Sequence, residues 1–363
     1  MSKKVVFIAA GGTGGHLFPA AAFAEEMAQR SWRVMLITDA RGRRYAENFP
    51  AERIDDVPAS SVSANPLQAI PAFFKIRKGI EASKQRFRDL PPALVAGFGG
   101  YPSFPALMAA RSLKVPILIH EQNAVLGRVN RTLAGSAAIV ACGFERLDGL
   151  PARAADRKRV VGNPVRSPIK AVREKPYPEA PAGGALNLLV IGGSQGARVF
   201  GEVIPEAVAM LPADLRARIS VVQQVREEQL AGVRAVYAEA GVKAEAEAFF
   251  NDMGRRLAEA HLVIARAGAS TVTELQVAGR PSILIPLAIA ADDHQTANAA
   301  GLTAVGAADV IPEAQFKPET LAALLRQRLN DAHGLAVRAA AARATGKPDA
   351  AKLLADLAES IAL

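Results

Sequence analysis

Two stretches of this chain place an apolar run, a glycine-rich turn and an alanine-containing run in the same order. In the first, Val5-Val6-Phe7-Ile8-Ala9-Ala10 leads into Gly11-Gly12-Thr13-Gly14-Gly15-His16, and Pro19 with Ala20 to Ala28 follows. In the second, Leu188-Leu189-Val190-Ile191 leads into Gly192-Gly193-Ser194-Gln195-Gly196, and Ala197 to Met210 follows. Each reads as strand, tight turn and helix. Glycine permits positive φ and close approach of another molecule to the backbone. A helix that starts there presents unpaired N–H groups and the positive end of its dipole, an arrangement suited to a phosphate or diphosphate. One such turn reads equally as a βα turn without a ligand; two in equivalent places in two halves favour the ligand. Neither turn fits G-x-G-x-x-G and the chain has no G-x-x-x-x-G-K-[ST], which argues against a Rossmann dehydrogenase and a P-loop NTPase.

The chain has 363 residues, half of them hydrophobic, too long for one ordinary core and suited to two domains. Cys142 is the single cysteine, so no internal disulfide can form and a reducing cytoplasm is the expected compartment. No apolar run approaches the roughly 18 residues of a membrane span. Ser2-Lys3-Lys4 precedes an apolar stretch that is short for the apolar region of a signal peptide and reads as a first strand. Residues 1–164 carry 23 Lys and Arg against 13 Asp and Glu, whereas the remainder carries 21 against 22. The basic half could face nucleic acid, an anionic membrane or an anionic substrate. Aromatic residues make up only 5% of the chain and no nucleic-acid motif is present, so no nucleic-acid partner is expected.

Further strands are predicted at Trp32–Thr38, Ala93–Phe98, Val115–His120, Ala137–Ala141 and Arg159–Val161, with a helix over Asn65–Leu90. Gly162-Asn163-Pro164-Val165-Arg166 and the proline-bearing run to Gly184 read as a linker without regular structure. Alternation then restarts, with strands at Leu186–Ile191, Ile219–Gln223, Ala244–Ala248, Leu262–Ala265 and Ser282–Ile285, and helices at Pro318–Asn330 and Pro348–Leu363. This is α/β, with parallel sheets covered by helices, in two domains at 1–164 and 165–363. Polar clusters lie beyond the carboxyl ends of the strands, where open α/β sheets bind ligands. Two such sheets facing each other would gather the clusters around one cleft.

Ala269-Ser270-Thr271-Val272-Thr273-Glu274 reads as a helix start able to receive a phosphate. A carboxylate at Glu274 suits the paired hydroxyls of a ribose, while Thr271 with Glu274 also matches a capping box. Asp292 to Asn298 offers donors and acceptors for sugar hydroxyls, or a capped surface helix. His16 stands at a helix start, and an imidazole titrating near 6.5 can act as a general base or merely as a hydrogen-bonding group. The histidines lack H-x-x-x-H spacing and there is no D-x-D triplet, so no metal site is expected.

The turns at 11–16 and 192–198 stand in one order with Gly99-Gly100-Tyr101, His120-Glu121-Gln122-Asn123, Gly162–Arg166 and Arg266–Glu274. Together these closely resemble the MurG family, bacterial N-acetylglucosaminyltransferases that form lipid II. The resemblance implies a GT-B fold of two Rossmann-like domains. It implies inverting transfer of GlcNAc from UDP-GlcNAc to the C4 hydroxyl of MurNAc in undecaprenyl-pyrophosphoryl-MurNAc-pentapeptide, with no cofactor. It places Thr13, Gly14 and Gly15 near donor phosphate and acceptor, and Asn123, Arg166, Ser194 and Gln295 on UDP-GlcNAc. Phe250 falls where backbone meets uracil, and Ala269 to Glu274 where diphosphate and ribose are held. Thr13, His16 and Tyr101 fall on the acceptor side, His16 as candidate base. Some members carry two glutamines before Thr296; here the first is His294, which puts any role of that side chain in doubt.

The acceptor's tail lies in a bilayer, so a peripheral docking surface at the cytoplasmic face is implied. The candidate lies between Leu67 and Leu90: Ile70, Phe73, Phe74, Arg77 and Ile80 fall along one side, with Lys75 and Lys78 beside them. Such a face packs into a core or meets anionic lipid, or divides, with one stripe inside and Phe73 or Phe74 at a rim. Another GT-B lipid glycosyltransferase, or a UDP-GlcNAc 2-epimerase without a lipid acceptor, is the alternative.

Overall fold

The computed structural model describes residues 3–12, 14–44, 46–61, 66–178, 183–193, 196–288, 290 and 293–363, without the side chains of 66–68. Two compact units form, one of residues 1–166 with 348–363 and the other of 167–347. The first unit contains β1 (Val5–Ala9), α1 (Gly14–Gln29), β2 (Arg33–Thr38), α2 (Ala40–Arg43), β3 (Arg53–Asp56) and α3 (Pro66–Asp89). It continues with β4 (Leu94–Gly97), α4 (Ser103–Ser112), β5 (Ile117–Glu121), α5 (Arg128–Leu133), β6 (Ile139–Cys142) and β7 (Lys158–Val160). The second contains α6 (Ser167–Lys170), β8 (Leu186–Ile191), α7 (Arg198–Ala209), α8 (Ala213–Arg216), β9 (Ile219–Gln224), α9 (Leu230–Glu239) and β10 (Lys243–Glu247). There follow α10 (Met253–Glu259), β11 (Leu262–Ala265), α11 (Ala269–Ala278), β12 (Ser282–Leu284), α12 (His294–Ala304), β13 (Ala308–Val310), α13 (Pro318–Leu329) and α14 (Ala332–Thr345). The last helix, α15 (Ala350–Ile361), belongs to the first unit.

Among the described residues every strand pair is parallel, and the sheet orders are β3-β2-β1-β4-β5-β6-β7 and β10-β9-β8-β11-β12-β13. Both follow the doubly wound pattern, in which strand order reverses beside the first strand. In the first unit the side chains divide by alternation. Val6, Ile8, Leu36, Leu94 and Ala96 join the core formed with α1 and α15, whereas Phe7, Ala9, Met35 and Val95 join that formed with α3 and α4. Burial on both faces is why β1 reads as an unbroken apolar run.

Helix α15 closes the first core. Leu354, Ala355 and Ala358 are fully buried in the cluster that holds Phe23 and Met27. Arg30 Nη1 donates to Asp356 Oδ1 at 2.7 Å and Glu359 Oε2 at 2.8 Å, and Trp32 Nε1 donates to Glu359 Oε1 at 3.1 Å. The polar contacts are partly exposed and contribute little; burying a leucine contributes about 1.5–3 kcal/mol.

The α/β class and the parallel sheets match the sequence expectation. Two strands were not read: β3 and β13 lie at sheet edges, are short, and carry Arg53, Asp55, Asp56 and Asp309. Charge on an edge strand opposes edge-to-edge pairing but erases the apolar signal. The expectation of an irregular linker is corrected at α6 and the 3-10 turn Ala171–Glu174, which bury Ile169 and Val172. Pro168 sits in the first turn of α6, where its missing N–H costs no helical hydrogen bond.

Candidate functional site

Each glycine turn carries one glycine of nearly the same positive φ at the same place in its sheet. Gly12 has φ +88° and Gly193 φ +84°, and neither has a neighbour within 4 Å of an added Cβ. Glycine is therefore required there by dihedral, not by crowding. Each turn lies beyond the first strand of its sheet, where β1 neighbours β4 and β8 neighbours β11. That is the switch point at which doubly wound sheets bind ligands. Thr13, Ser194, Gln195 and Asp292 lie outside the described residues.

In the first unit, α1 begins at Gly14, so Gly15 and His16 occupy its first turn. His16 lies against the turn after β4: a Cβ on Gly99 would stand 3.4 Å from its Cε1, and one on Gly100 3.3 Å from its Cδ2. His16 Nδ1 is 3.1 Å from Gln122 Oε1. Gln122 Nε2 is 3.0 Å from His120 Nδ1 and donates to the His120 carbonyl at 3.2 Å. His120 Nε2 is 3.0 Å from the Gly162 carbonyl oxygen. His120 is fully buried, and that burial pushes its imidazole down to about 4.

Glu121 is buried and accepts four hydrogen bonds. Oε1 takes Asn123 N at 3.0 Å and Asn123 Nδ2 at 3.2 Å, and Oε2 takes Gly127 N at 2.9 Å and Asn130 Nδ2 at 2.8 Å. The loop that carries Asn123 is thus folded around one carboxylate. Arg166 stacks its guanidinium 4.6 Å from the Phe18 ring centre. Tyr101 donates its hydroxyl to Asp39 Oδ2 at 2.6 Å, and burial, reinforced by that bond, pushes the phenol up to about 12.

In the second unit, α11 starts at Ala269 with Gly268 as its N-cap and no side-chain cap. The capping-box reading of Thr271 and Glu274 is corrected: they are the third and sixth helical residues, because the glycine at 268 takes the extended cap conformation. Val272 N–H bonds back to the Gly268 carbonyl at 2.9 Å, so Ala269, Ser270 and Thr271 carry the leading N–H groups, which have no carbonyl one turn back. Ser270 Oγ is buried without a hydrogen-bond partner among the described residues. Val272 and Thr273 are buried, and Glu274 is half-buried one turn on from Ser270 and Thr271. Asn298 Nδ2 donates to the Ala267 carbonyl at 3.1 Å, tying α12 to the turn before α11. The surface-helix reading of 292–298 therefore does not hold for its buried end. Gln295 Oε1 accepts from Leu287 N at 3.0 Å.

Phe250 is buried beneath Arg256, whose guanidinium carbon lies 3.9 Å from the ring centre. Arg256 in turn donates to Glu245 at 2.9 and 2.6 Å and to Asp252 Oδ1 at 2.6 Å. Arg266 donates to the carbonyls of Ile285 and Pro286 and, at 2.7 Å, to Glu313. Its guanidinium thus pins the turns after β11 and β12. Sequence reasoning missed Glu313, which is distant in the chain from Arg266, and Arg256, which lies near Phe250, Asp252 and Glu245 in the chain but belongs to no motif. It quoted Glu121 and Gln122 without assigning them, although their place at the end of β5 was the available signal.

On α3, Ala72, Gly79, Ser83 and Phe87 face inward, and Ile80 packs partly against the core. Ile70, Phe73 and Phe74 are 63%, 61% and 62% exposed, and Lys75, Arg77 and Lys78 are exposed beside them. The side divides, with Ile80 packed partly inside and Phe73 and Phe74 outside, the mixed arrangement among the expectations. Among the described residues no helix is long and apolar enough to cross a membrane.

Comparison with known proteins agrees with these features. Residues 6–142 match the glycosyltransferase family 28 N-terminal domain and residues 187–354 its C-terminal domain. The UDP-N-acetylglucosamine--N-acetylmuramyl-(pentapeptide) pyrophosphoryl-undecaprenol N-acetylglucosamine transferase of Maricaulis maris is 52% identical, over 98% of this chain and 97% of its own. The crystal structure of MurG from Acinetobacter baumannii aligns with a TM-score of 0.80 at 33% identity, over 98% of this chain and 99% of that one. A Listeria monocytogenes structure described as a UDP-N-acetylglucosamine 2-epimerase aligns at 0.68 with 15% identity, over 99% and 96%, a likeness of fold alone. With both family domains present and half its residues shared with a full-length relative, the chain belongs to glycosyltransferase family 28, in its MurG branch.

Proposed function

We propose that the second unit holds the sugar nucleotide and the first receives a lipid-linked acceptor. The protein is an N-acetylglucosaminyltransferase of peptidoglycan synthesis that moves GlcNAc from UDP-GlcNAc to undecaprenyl-pyrophosphoryl-MurNAc-pentapeptide. The observation that carries this reading is the repeated turn: Gly12 and Gly193 share a positive φ that glycine adopts freely, at the switch point of each sheet.

Departure of UDP builds negative charge on the diphosphate while the sugar becomes oxocarbenium-like. The leading N–H groups of Ala269, Ser270 and Thr271, which no side-chain cap occupies, suit that charge. The family resemblance assigns Arg166, Ser194 and Thr13–Gly15 to the donor as well, and hydrogen-bond donors of this kind stabilise a departing diphosphate. Glu274 receives the ribose hydroxyls, Asn123 and Gln295 meet the sugar, and the backbone at Phe250 meets uracil. Val272 and Thr273, being buried, act as support for this helix end. The C4 hydroxyl of MurNAc attacks C1 from the face opposite UDP, inverting configuration, and His16 takes its proton. Tyr101 lines the acceptor side, where its bond to Asp39 holds it in place.

Docking follows from α3. Ile70, Phe73 and Phe74 enter the interface while Lys75, Arg77 and Lys78 meet anionic headgroups, each basic residue contributing about 1 kcal/mol. On this reading the enzyme works peripherally at the cytoplasmic face of the bacterial inner membrane, and the exposed Phe73 and Phe74 beside Lys75, Arg77 and Lys78 support it. The donor assignment is tested by calorimetry on Glu274→Ala. UDP-GlcNAc affinity falls about 10- to 100-fold, the loss of a charged hydrogen bond. A lower melting temperature with unchanged donor affinity would remove Glu274 from the ribose site.

A further inference from the structure

We propose that Gln122 is a positioning residue that fixes the tautomer of His16, leaving His16 Nε2 as the proton acceptor. The inference rests on the reading of His16 as base and adds to it the atom that acts and the residue that sets it.

A chain of hydrogen bonds runs to His16 from the Gly162 carbonyl, which can only accept. The Gly162 carbonyl faces His120 Nε2 at 3.0 Å, so that nitrogen carries the hydrogen. A buried imidazole held neutral has one N–H, so His120 Nδ1 is an acceptor and must face a donor. The atom beside it at 3.0 Å is Gln122 Nε2, which also lies 3.2 Å from the His120 carbonyl. Both neighbours of that amide nitrogen accept, which uses its two hydrogens and fixes the orientation of the amide. Turned over, the amide would set its oxygen against the His120 carbonyl. The Gln122 oxygen therefore faces His16 Nδ1, 3.1 Å away, and an amide oxygen only accepts. His16 Nδ1 carries the hydrogen, and in the neutral ring Nε2 keeps its lone pair.

The surroundings hold the relay in place. Asn163 Nδ2 donates to the Gln122 carbonyl at 3.0 Å. Gly99 and Gly100 bring backbone against the His16 ring, where a Cβ would reach 3.4 and 3.3 Å. Phe98 packs against the His120 ring with centres 5.3 Å apart. A fixed tautomer matters because only the unprotonated nitrogen can receive a proton, and a partner on the other nitrogen decides which one that is. In the transfer, the acceptor oxygen bonds to C1, the C1–O bond to UDP breaks with its electron pair leaving on UDP, and the hydroxyl proton passes to His16 Nε2.

The test is the imidazole 15N spectrum of the full chain, assigned with His16→Ala, together with turnover of UDP-GlcNAc and a water-soluble short-chain acceptor. The wild-type neutral His16 shows the Nδ1–H pattern. In Gln122→Met the pattern shifts toward Nε2–H, kcat falls about 10- to 100-fold and the KM for UDP-GlcNAc stays within twofold. Adding Gln122→Met to His16→Ala then changes kcat no further. A wild-type spectrum with Nε2–H, or a Gln122→Met spectrum that keeps Nδ1–H, overturns the proposal. The wild-type spectrum alone decides the tautomer, so the proposal is falsifiable even where the variant does not fold. Full activity in His16→Ala would instead remove His16 as base, an outcome separate from the tautomer result.

Discussion

Glu121 offers the sharpest structural prediction, because one buried carboxylate organises the loop that carries Asn123. Its Oε1 serves two donors on Asn123 and its Oε2 serves Gly127 N and Asn130 Nδ2. Glu121→Gln keeps the shape but replaces one oxygen by an amide nitrogen, so two of the four donors face another donor. An unsatisfied buried donor costs about 1–3 kcal/mol, which sums to about 2–6 kcal/mol against a total stability of about 5–15 kcal/mol. Because the chain has two units, the cost is best read locally, by hydrogen exchange at the amides of Asn123 and Gly127. We expect exchange there to accelerate by at least tenfold while amides of β8 and β11 are unchanged, and UDP-GlcNAc affinity to fall with it. Unchanged protection of both amides would refute the role of this carboxylate as the anchor of the loop.

Three further predictions concern the interior and the surface. His120 titrates near 4 in the folded chain and near 6.5 unfolded, so the unfolded state binds the extra proton as pH falls. Its stabilisation is complete above pH 6.5 and about 3 kcal/mol is lost between pH 6.5 and 4; denaturant titrations across that window check it, and His120→Phe should flatten the slope. Gly79→Ala places a Cβ 2.0 Å from the Pro58 carbonyl oxygen and should lower stability by about 1–3 kcal/mol. By contrast Gly232→Ala, which meets nothing within 4 Å inside α9, should raise it by up to about 1 kcal/mol; thermal denaturation separates the two. Replacing Lys75, Arg77 and Lys78 by glutamine should release the protein from anionic vesicles, as high salt does, with turnover of a short-chain acceptor intact. Unchanged vesicle binding would show that docking uses another surface.

The strands that carry the fold were legible because they are apolar on both faces, as in β1 and β8, and because a glycine turn ends each. The edge strands β3 and β13 were not, since their charged residues look like loop. The glycine turns mark the ends of β1 and β8 but not one chemistry. Gly192-Gly193-Ser194-Gln195-Gly196 also satisfies G-x-S-x-G, the pattern of a hydrolase nucleophile elbow; the order of the surrounding motifs separates the two. Thr271 and Glu274 show a different limit. Their spacing fits a capping box, and only the extended backbone of Gly268 shows that the helix begins earlier. Contacts such as Arg266 with Glu313 and His16 with Gln122 join positions far apart in the chain, and no local pattern announces them.

UDP release reads out transfer of a sugar from UDP-GlcNAc to a lipid-linked acceptor. The purified chain is mixed with UDP-GlcNAc, with and without undecaprenyl-pyrophosphoryl-MurNAc-pentapeptide or a short-chain analogue. UDP release should depend on the acceptor, with one β-1,4-linked GlcNAc added for each UDP formed. Release of UDP or epimerised sugar without acceptor, or no release when both substrates are present, would contradict it.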